Sequence, residues 1–150
     1  PLKNPAGLQS LQDLARPGVK LVLAAPETPV GQYTLEFLEK ASQNGNFGAD
    51  FQANILQNVV SYESSVKAVL TKVVLGEADA GIVYTSDISQ SAAAQVAQFE
   101  IPVALNVTAV YPIAVLKDAA DPALAADFAA LVRSPEGQQI LAKYGFLPGD

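Results

Sequence analysis

Apolar residues follow two different periods within residues 58–84, which predicts a strand, a helix and a second strand. Asn58–Tyr62 is a β-branched and aromatic run typical of a strand, and Glu63–Ser65 then predicts a capping serine and an acid in the first helical turn. The helix has a single apolar stripe: Val66, Val69, Leu70, Val73 and Val74. Gly76 predicts its end, because glycine adopts the left-handed conformation freely, and Ala80–Tyr84 predicts the next strand.

The preceding segment also alternates between strand and helix. Gly7–Leu14 predicts a short helix, and the almost wholly apolar Val19–Ala25 is typical of a strand covered on both faces. A longer helix is predicted to begin close to Gly31, with this buried stripe: Tyr33, Phe37, Leu38 and Ala41. A loop at Asn44–Gly48 separates it from a further short helix that includes Ala53–Leu56.

The last part of the chain predicts edge strands followed by helices. A brief Ala-rich helix is expected within residues 85–97. Phe99–Ala104 and Val107–Leu116 are apolar runs that each contain a proline, which favours edge or connecting strands. Asp121-Pro122 and Ser134-Pro135 are start signals for two terminal helices. The alternation of strand and helix over the first two-thirds of the chain indicates an α/β fold.

Composition and charge narrow the classes of function. The 150 residues are half hydrophobic and only 16% charged, which suits one domain or one lobe of a larger protein. A net charge of −6 argues against a nucleic-acid partner. The chain has no Cys and no His, so thiol nucleophiles, zinc–thiolate sites and the commonest general base are excluded. Because it also has no Met, we expect a processed or trimmed piece.

Two chemical motifs have simpler interpretations. Residues 64–67 fit S-x-x-K, the nucleophile motif of penicillin-binding enzymes, but no accompanying S-D-N or K-T-G is present. A capping serine with a solvated lysine is the preferred interpretation, and a hydrolase that uses Ser64 or Ser65 is the alternative. Three turn carboxylates lack the dense spacing of a calcium loop: Glu77, Asp79 and Asp87. We therefore expect no cofactor and no metal ion coordinated by side chains.

Two loops with the same design remain as a candidate anion site. Residues 28–33 and residues 62–66 each lead from an apolar strand into a helix, so each presents unpaired backbone N–H groups at a helix N-terminus. Tyr84, at the end of the following strand, could add a hydroxyl donor. Neutral donors act at contact distance, whereas the net charge is screened over about 8–10 Å. The alternative is that these are ordinary helix caps and that Tyr84 is a half-buried core residue.

Four blocks of the chain resemble, in the same order, the central and C-terminal part of the periplasmic molybdate-binding proteins of ABC transporters. The blocks are residues 4–33, 58–87, 105–119 and 134–146. The P-V/A-G-x-Y pattern at residues 29–33 and GEADAGIVY at residues 76–84 are the more specific parts. The resemblance implies a type II periplasmic-binding-protein lobe, with a mixed, mostly parallel central sheet flanked by helices.

The resemblance also implies a function without catalysis. A protein of this family binds molybdate or tungstate through neutral main-chain N–H and hydroxyl donors, and delivers it to the permease of an ABC importer. Carried onto this chain, the ligands would be the N–H groups of Val30 and Val66 and the hydroxyl of Tyr84, with Gly31 and Ser65 as weaker candidates. The implied location is periplasmic or otherwise extracytoplasmic, and the full-length protein could carry a lipid anchor.

One departure from the family limits this expectation. The N-terminal part of the first lobe, with its serine ligands, has no counterpart here. By resemblance, residues 1–108 form the second, ligand-binding lobe, and residues 109–150 form a hinge strand and C-terminal helices that belong to the first. The chain would then hold half a site, and self-association could cover surface that the missing lobe buries. Another anion, an organic solute or a role as a ligand-sensing effector domain remains as an alternative.

Overall fold

The computed structural model describes residues 1–149, apart from the side chain of Gln90. The chain divides into two compact units, Pro1–Val107 and Thr108–Asp150. Asp150, the last residue of the predicted second segment, lies outside the described residues. The assignment of the two segments to two lobes stays a prediction.

The sheet of the first unit has three parallel strands, β1 (Leu21–Ala24), β2 (Val59–Glu63) and β3 (Ala80–Gly81). Their order is β2-β1-β3, with β1 in the centre and all four of its residues buried. The chain therefore first builds outward from β1 to β2, and then returns to place β3 on the other side of β1. The predicted α/β fold class is confirmed, and the described sheet is parallel throughout.

Three of the four α-helices of the first unit connect these strands, and the fourth follows β3. They are α1 (Pro29–Ser42), α2 (Phe51–Gln57), α3 (Val66–Leu75) and the short α4 (Gln90–Ala93). Two 3-10 helices, Leu11–Ala15 and Thr85–Asp87, lie outside the strand connections. The predicted helix over Gly7–Leu14 is thus shorter and tighter than expected. No helix within residues 1–149 is long and apolar enough to cross a membrane.

Apolar side chains cover both faces of the sheet. On one face Leu21 packs in a cluster with residues of α1 and α2, including Phe37 and Phe51, whose rings meet edge to face. On the other face Val22 packs with Val69 of α3. Because both faces are covered, β1 reads as a continuous apolar run, as the sequence predicted.

A β-bulge sets the direction of side chains at the end of β2. Val22 of β1 opposes Ser61, whereas the residue before it opposes Val59, so Val60 has no partner in the register. The side chains of Ser61 and Glu63 consequently lie on the face of the sheet that carries α3.

Several predicted strands and helices are wrong. Phe99–Ala104 and Val107–Leu116 form no strand, and β3 ends at Gly81 rather than Tyr84. The helix predicted within residues 85–97 is only the turn Thr85–Asp87 followed by α4. A strand needs a neighbouring strand for its N–H and C=O groups, and neither apolar run pairs with the sheet; the Val110 side chain is 83% exposed.

The described residues of the second unit form two helices, α5 (Pro122–Arg133) and α6 (Pro135–Ala142). The side chains of Asp121 and Ser134 accept hydrogen bonds from backbone N–H groups three residues on, at 2.9 and 3.2 Å, so both predicted starts are confirmed. The apolar stripe of α5 is nevertheless exposed, and its Phe128 side chain is 60% accessible.

Candidate functional site

The strand order places the candidate site at the carboxyl edge of the sheet. In open parallel sheets, ligands bind where the order of strands reverses, outside the carboxyl ends of the strands. Here the reversal lies between β1 and β3. The Ala25 N–H donates to the Glu63 carbonyl oxygen at 2.8 Å, which joins the loop after β1 to the end of β2. The loops that lead into α1 and α3 are thus neighbours.

The N-terminus of α1 retains one free backbone donor. Thr28 is the N-cap, and its Oγ1 accepts a hydrogen bond from the Gly31 N–H at 3.1 Å and donates to the Ala25 carbonyl at 2.7 Å. Pro29, at the first helical position, has no N–H to satisfy. The Val30 N–H has no hydrogen-bond partner in the described part of the chain. Only Val30 therefore offers an unused N–H in the first turn of α1.

Gly31 allows α1 to start against the end of β1. A Cβ atom at Gly31 would lie 2.1 Å from the Ala25 carbonyl oxygen and 3.0 Å from that of Ala24. These obstructing atoms belong to the backbone, so a change of side-chain rotamer cannot relieve the clash. The Gly31 N–H already donates to Thr28. Gly31 therefore contributes by allowing α1 to lie close to the end of β1. Its role as a weaker ligand stays a prediction.

The N-terminus of α3 has the same design. The Ser65 side chain accepts from the Ala68 N–H at 3.3 Å, so the prediction of a capping serine is confirmed. The N–H groups of Val66 and Lys67 have no partner among residues 1–149. The described contacts include none between either candidate serine and the Lys67 ammonium, so the geometry gives no support to a serine hydrolase.

Tyr84 contacts α1 and packs in an apolar cluster with residues from both helix starts. Its half-buried ring belongs to the apolar cluster that also contains Val30 and Val66. It contacts the ring of Tyr33 edge to face, with centroids 6.4 Å apart. Its N–H donates to Asp87 Oδ2 at 3.1 Å. The fold thus brings the three main predicted ligands, Val30, Val66 and Tyr84, into one cluster, and their contact with an anion stays a prediction.

An ion pair accompanies the site. Lys72 Nζ of α3 lies 2.5 Å from Glu63 Oε1 and donates to the Ser61 Oγ at 2.9 Å, while that hydroxyl donates to the same carboxylate. The hydrogen bond from Lys72, together with that from Ser61, lowers the pKa of the Glu63 carboxyl. The interpretation of Glu63 as an acid of the first helical turn was wrong, since Glu63 is the last residue of β2. No periodicity in the sequence signals this pair.

Two other carboxylates accept hydrogen bonds from backbone N–H groups. Asp79 Oδ2 accepts from the Lys20 N–H at 2.8 Å, and Asp87 accepts from the N–H at the start of its own turn. Burial raises the pKa of Asp87. Within the described residues, no group of three or more acidic, His or Cys side chains could hold a metal ion.

Comparison with known proteins gives a consistent set of relatives. A family model described as bacterial extracellular solute-binding protein matches residues 1–147. Over 143 residues, 95% of this chain, it is 42% identical to the molybdate-binding protein ModA of Mycobacterium tuberculosis and to that of Mycobacterium bovis. It is 29% identical over 147 residues, 97% of this chain, to YvgL of Bacillus subtilis, named as an ABC transporter substrate-binding lipoprotein. The chain spans 50% of each ModA and 52% of YvgL. No solved structure matches significantly.

Proposed function

Because this chain belongs to the family of bacterial extracellular solute-binding proteins, we propose that its first unit binds a tetrahedral oxyanion, molybdate or tungstate. The observation that carries the proposal is the convergence of two helix starts and one tyrosine at the carboxyl edge of the sheet. The donors are the N–H groups of Val30 and Val66 and the hydroxyl of Tyr84. Family membership points to binding rather than catalysis, and no step of chemistry on the ion is proposed.

Neutral donors suit an ion that must be captured and released. Each helix N-terminus carries the equivalent of about half a positive charge, and its unpaired N–H groups point outward from the first turn. Val30 and Val66 supply such groups without the strong, long-range attraction of a lysine or arginine. This design also suits a chain of net charge −6, because the dipoles act at contact distance while the overall charge is screened.

The proposal for the whole protein rests on its relatives. The two mycobacterial proteins are named for molybdate binding, and YvgL is named as a substrate-binding lipoprotein of an ABC transporter. We infer that the whole protein captures the oxyanion outside the cytoplasm and delivers it to the permease of an ABC importer. Tungstate joins molybdate in this proposal because the two ions have the same charge and tetrahedral shape.

We also propose that the chain self-associates through its second unit. Exposed apolar side chains occur along the unit in unusual number: Val110, Tyr111, Leu116, Leu124, Phe128, Leu131, Tyr144 and Leu147. Monomeric proteins rarely expose large apolar patches, so side chains in this number favour a surface that a second copy covers. Sedimentation velocity should show a concentration-dependent dimer that Phe128→Glu weakens. Monomers at every concentration would contradict this part of the proposal.

The binding proposal is tested by removing one backbone donor. Val66 is the first residue of α3, and the residue before it has φ −151° and ψ 150°. Proline fits the first helical position, and an extended preceding residue accommodates its ring. Val66→Pro therefore removes the N–H while it leaves the helix start intact, and Val66→Ala is the matched control that keeps the N–H.

Amide NMR titration with molybdate, tungstate and sulfate measures the outcome, and it detects weak as well as tight binding. The amide signals of Val30 and Val66 should shift with molybdate and tungstate, and Val66→Pro should weaken binding at least about tenfold, since a hydrogen bond to a charged group contributes about 1.5–3 kcal/mol. Val66→Ala should bind nearly as the wild type does. Unshifted amides at millimolar concentrations of all three ions would overturn the proposal, and a response to sulfate alone would assign a different anion.

A further inference from the structure

Neither residue of the ion pair between Glu63 and Lys72 is among the proposed ligands. Its two side chains are 16% and 33% exposed, and both contact the Ser61 hydroxyl. The β-bulge at Val60 turns Ser61 and Glu63 toward α3, where Lys72 can reach them. The pair therefore depends on tertiary structure at two places, the bulge and the packing of α3 on the sheet.

The residue that carries this carboxylate is close in the chain to one of the proposed oxyanion ligands. Glu63 precedes Val66 by three residues, so their Cα atoms are at most about 11 Å apart. The Glu63 carbonyl also accepts from the Ala25 N–H, which leads into the loop before α1. Glu63 is thus next to both helix starts, and its lowered pKa keeps it ionised at neutral pH.

An uncompensated carboxylate at this place would oppose binding of a dianion. For charges of −1 and −2 about 10 Å apart, Coulomb's law at effective dielectric constants of about 80 to 40 corresponds to an affinity loss of about four- to fifteenfold. Neutral donors have no formal charge with which to offset such a repulsion. Lys72 supplies the compensating charge at 2.5 Å from the carboxylate.

We propose that Lys72 is a positioning residue that raises oxyanion affinity without touching the ion, by cancelling the charge of Glu63 beside the two helix N-termini. The inference rests on the proposed function and adds to it a residue outside the ligand set. It assigns the affinity of the site partly to the net charge of a neighbouring pair, which is zero in the wild type and which single substitutions can set to −1 or +1.

A charge cycle tests this inference. Lys72→Met leaves the pair at −1, Glu63→Gln leaves it at +1, and the double variant returns it to zero. We expect Lys72→Met to weaken molybdate binding about four- to fifteenfold, Glu63→Gln to tighten it by a similar factor, and the double variant to bind within about twofold of the wild type. A merely structural pair would give weaker binding in both single variants.

The matched control is the ion pair of Lys40 and Glu36 on α1, which are 2.8 Å apart and exposed. Lys40 lies eleven residues beyond the start of α1 at Pro29, about 16 Å along the helix. Because both side chains are exposed, the dielectric constant of water, about 80, applies to this pair, and Lys40→Met should change affinity only about twofold. The effect of Lys72→Met should shrink between about 10 mM and 150 mM salt, because the screening length falls from about 30 to 8 Å.

The outcomes separate this inference from the function on which it rests. Affinities that follow the charge of the pair, with the double variant restored, support it. The inference is overturned, and the proposed function stands, in two cases. In both the wild type binds molybdate; in the first Glu63→Gln binds it more weakly, and in the second all variants bind it alike. Failure of the wild type to bind any of the three anions overturns both.

Discussion

Gly31→Ala is the sharpest test of how α1 is placed against the sheet. The added Cβ would lie 2.1 Å from the Ala25 carbonyl oxygen, whereas ordinary contacts of this kind begin at 3.4 Å. The helix start must therefore move by about 1.3 Å, and overpacking of this kind costs about 1–3 kcal/mol or more. Replacing glycine by alanine within a helix would otherwise stabilise by about 0.5–1 kcal/mol.

We expect the clash to dominate, since the obstructing atoms are backbone, and the net loss of stability to be about 2 kcal/mol. For a chain of this size that corresponds to a melting temperature lower by about 4–8 °C. The same movement displaces the neighbouring Val30 N–H, so molybdate affinity should fall at least about fivefold, as expected when a hydrogen bond to an ion is stretched.

Thermal unfolding and amide NMR titration provide the two readouts. Gly45→Ala is the matched control, because Gly45 is an exposed loop glycine with nothing within 4 Å of an added Cβ. The control should unfold within about 0.5 kcal/mol of the wild type, as surface substitutions usually do, and bind equally well. If Gly31→Ala were as stable as the control and bound molybdate as tightly, the close approach would not matter and the reasoning would be refuted.

Three further changes probe other parts of the first unit. Asn58→Ala should destabilise by about 2–4 kcal/mol in urea unfolding, because its buried amide donates to two backbone carbonyls at 2.8 Å each; a loss below about 1 kcal/mol would contradict this. Asp87→Asn tests the raised pKa of that carboxyl. A raised folded-state pKa stabilises the fold below the unfolded pKa, and this contribution is lost as pH rises through the folded value. The stability of Asp87→Asn relative to the wild type should therefore increase from about pH 4 upward and then level off, and a difference independent of pH would refute the assignment. Tyr84→Phe keeps the aromatic ring but removes the hydroxyl, so affinity should fall about tenfold or more; undiminished affinity would exclude the hydroxyl as a ligand.

Local sequence signals predicted several helix ends correctly, above all those of α3 and the starts of α5 and α6. Ser65 as the cap of α3 and the left-handed Gly76 at its end act through hydrogen bonds within a few residues. Those contacts form wherever the segment lies, so a local pattern is enough to predict them. For the same reason the loops that lead into α1 and α3 could be singled out from the pattern alone, whereas the individual ligands Val30 and Val66 come from the family resemblance. The start of α1 was predicted less well, since the helix begins at Pro29 rather than close to Gly31.

Tertiary structure alone decided which strands form and which helix starts meet. Val107–Leu116 has the composition of a strand, but strand formation needs a partner, and this segment remains without regular structure. The order β2-β1-β3, the bulge at Val60 and the pairing of Glu63 with Lys72 join residues that no local period connects. Sequence therefore supplies the donors of the site, whereas the packing of α1 and α3 on the sheet supplies their convergence and the charge around them.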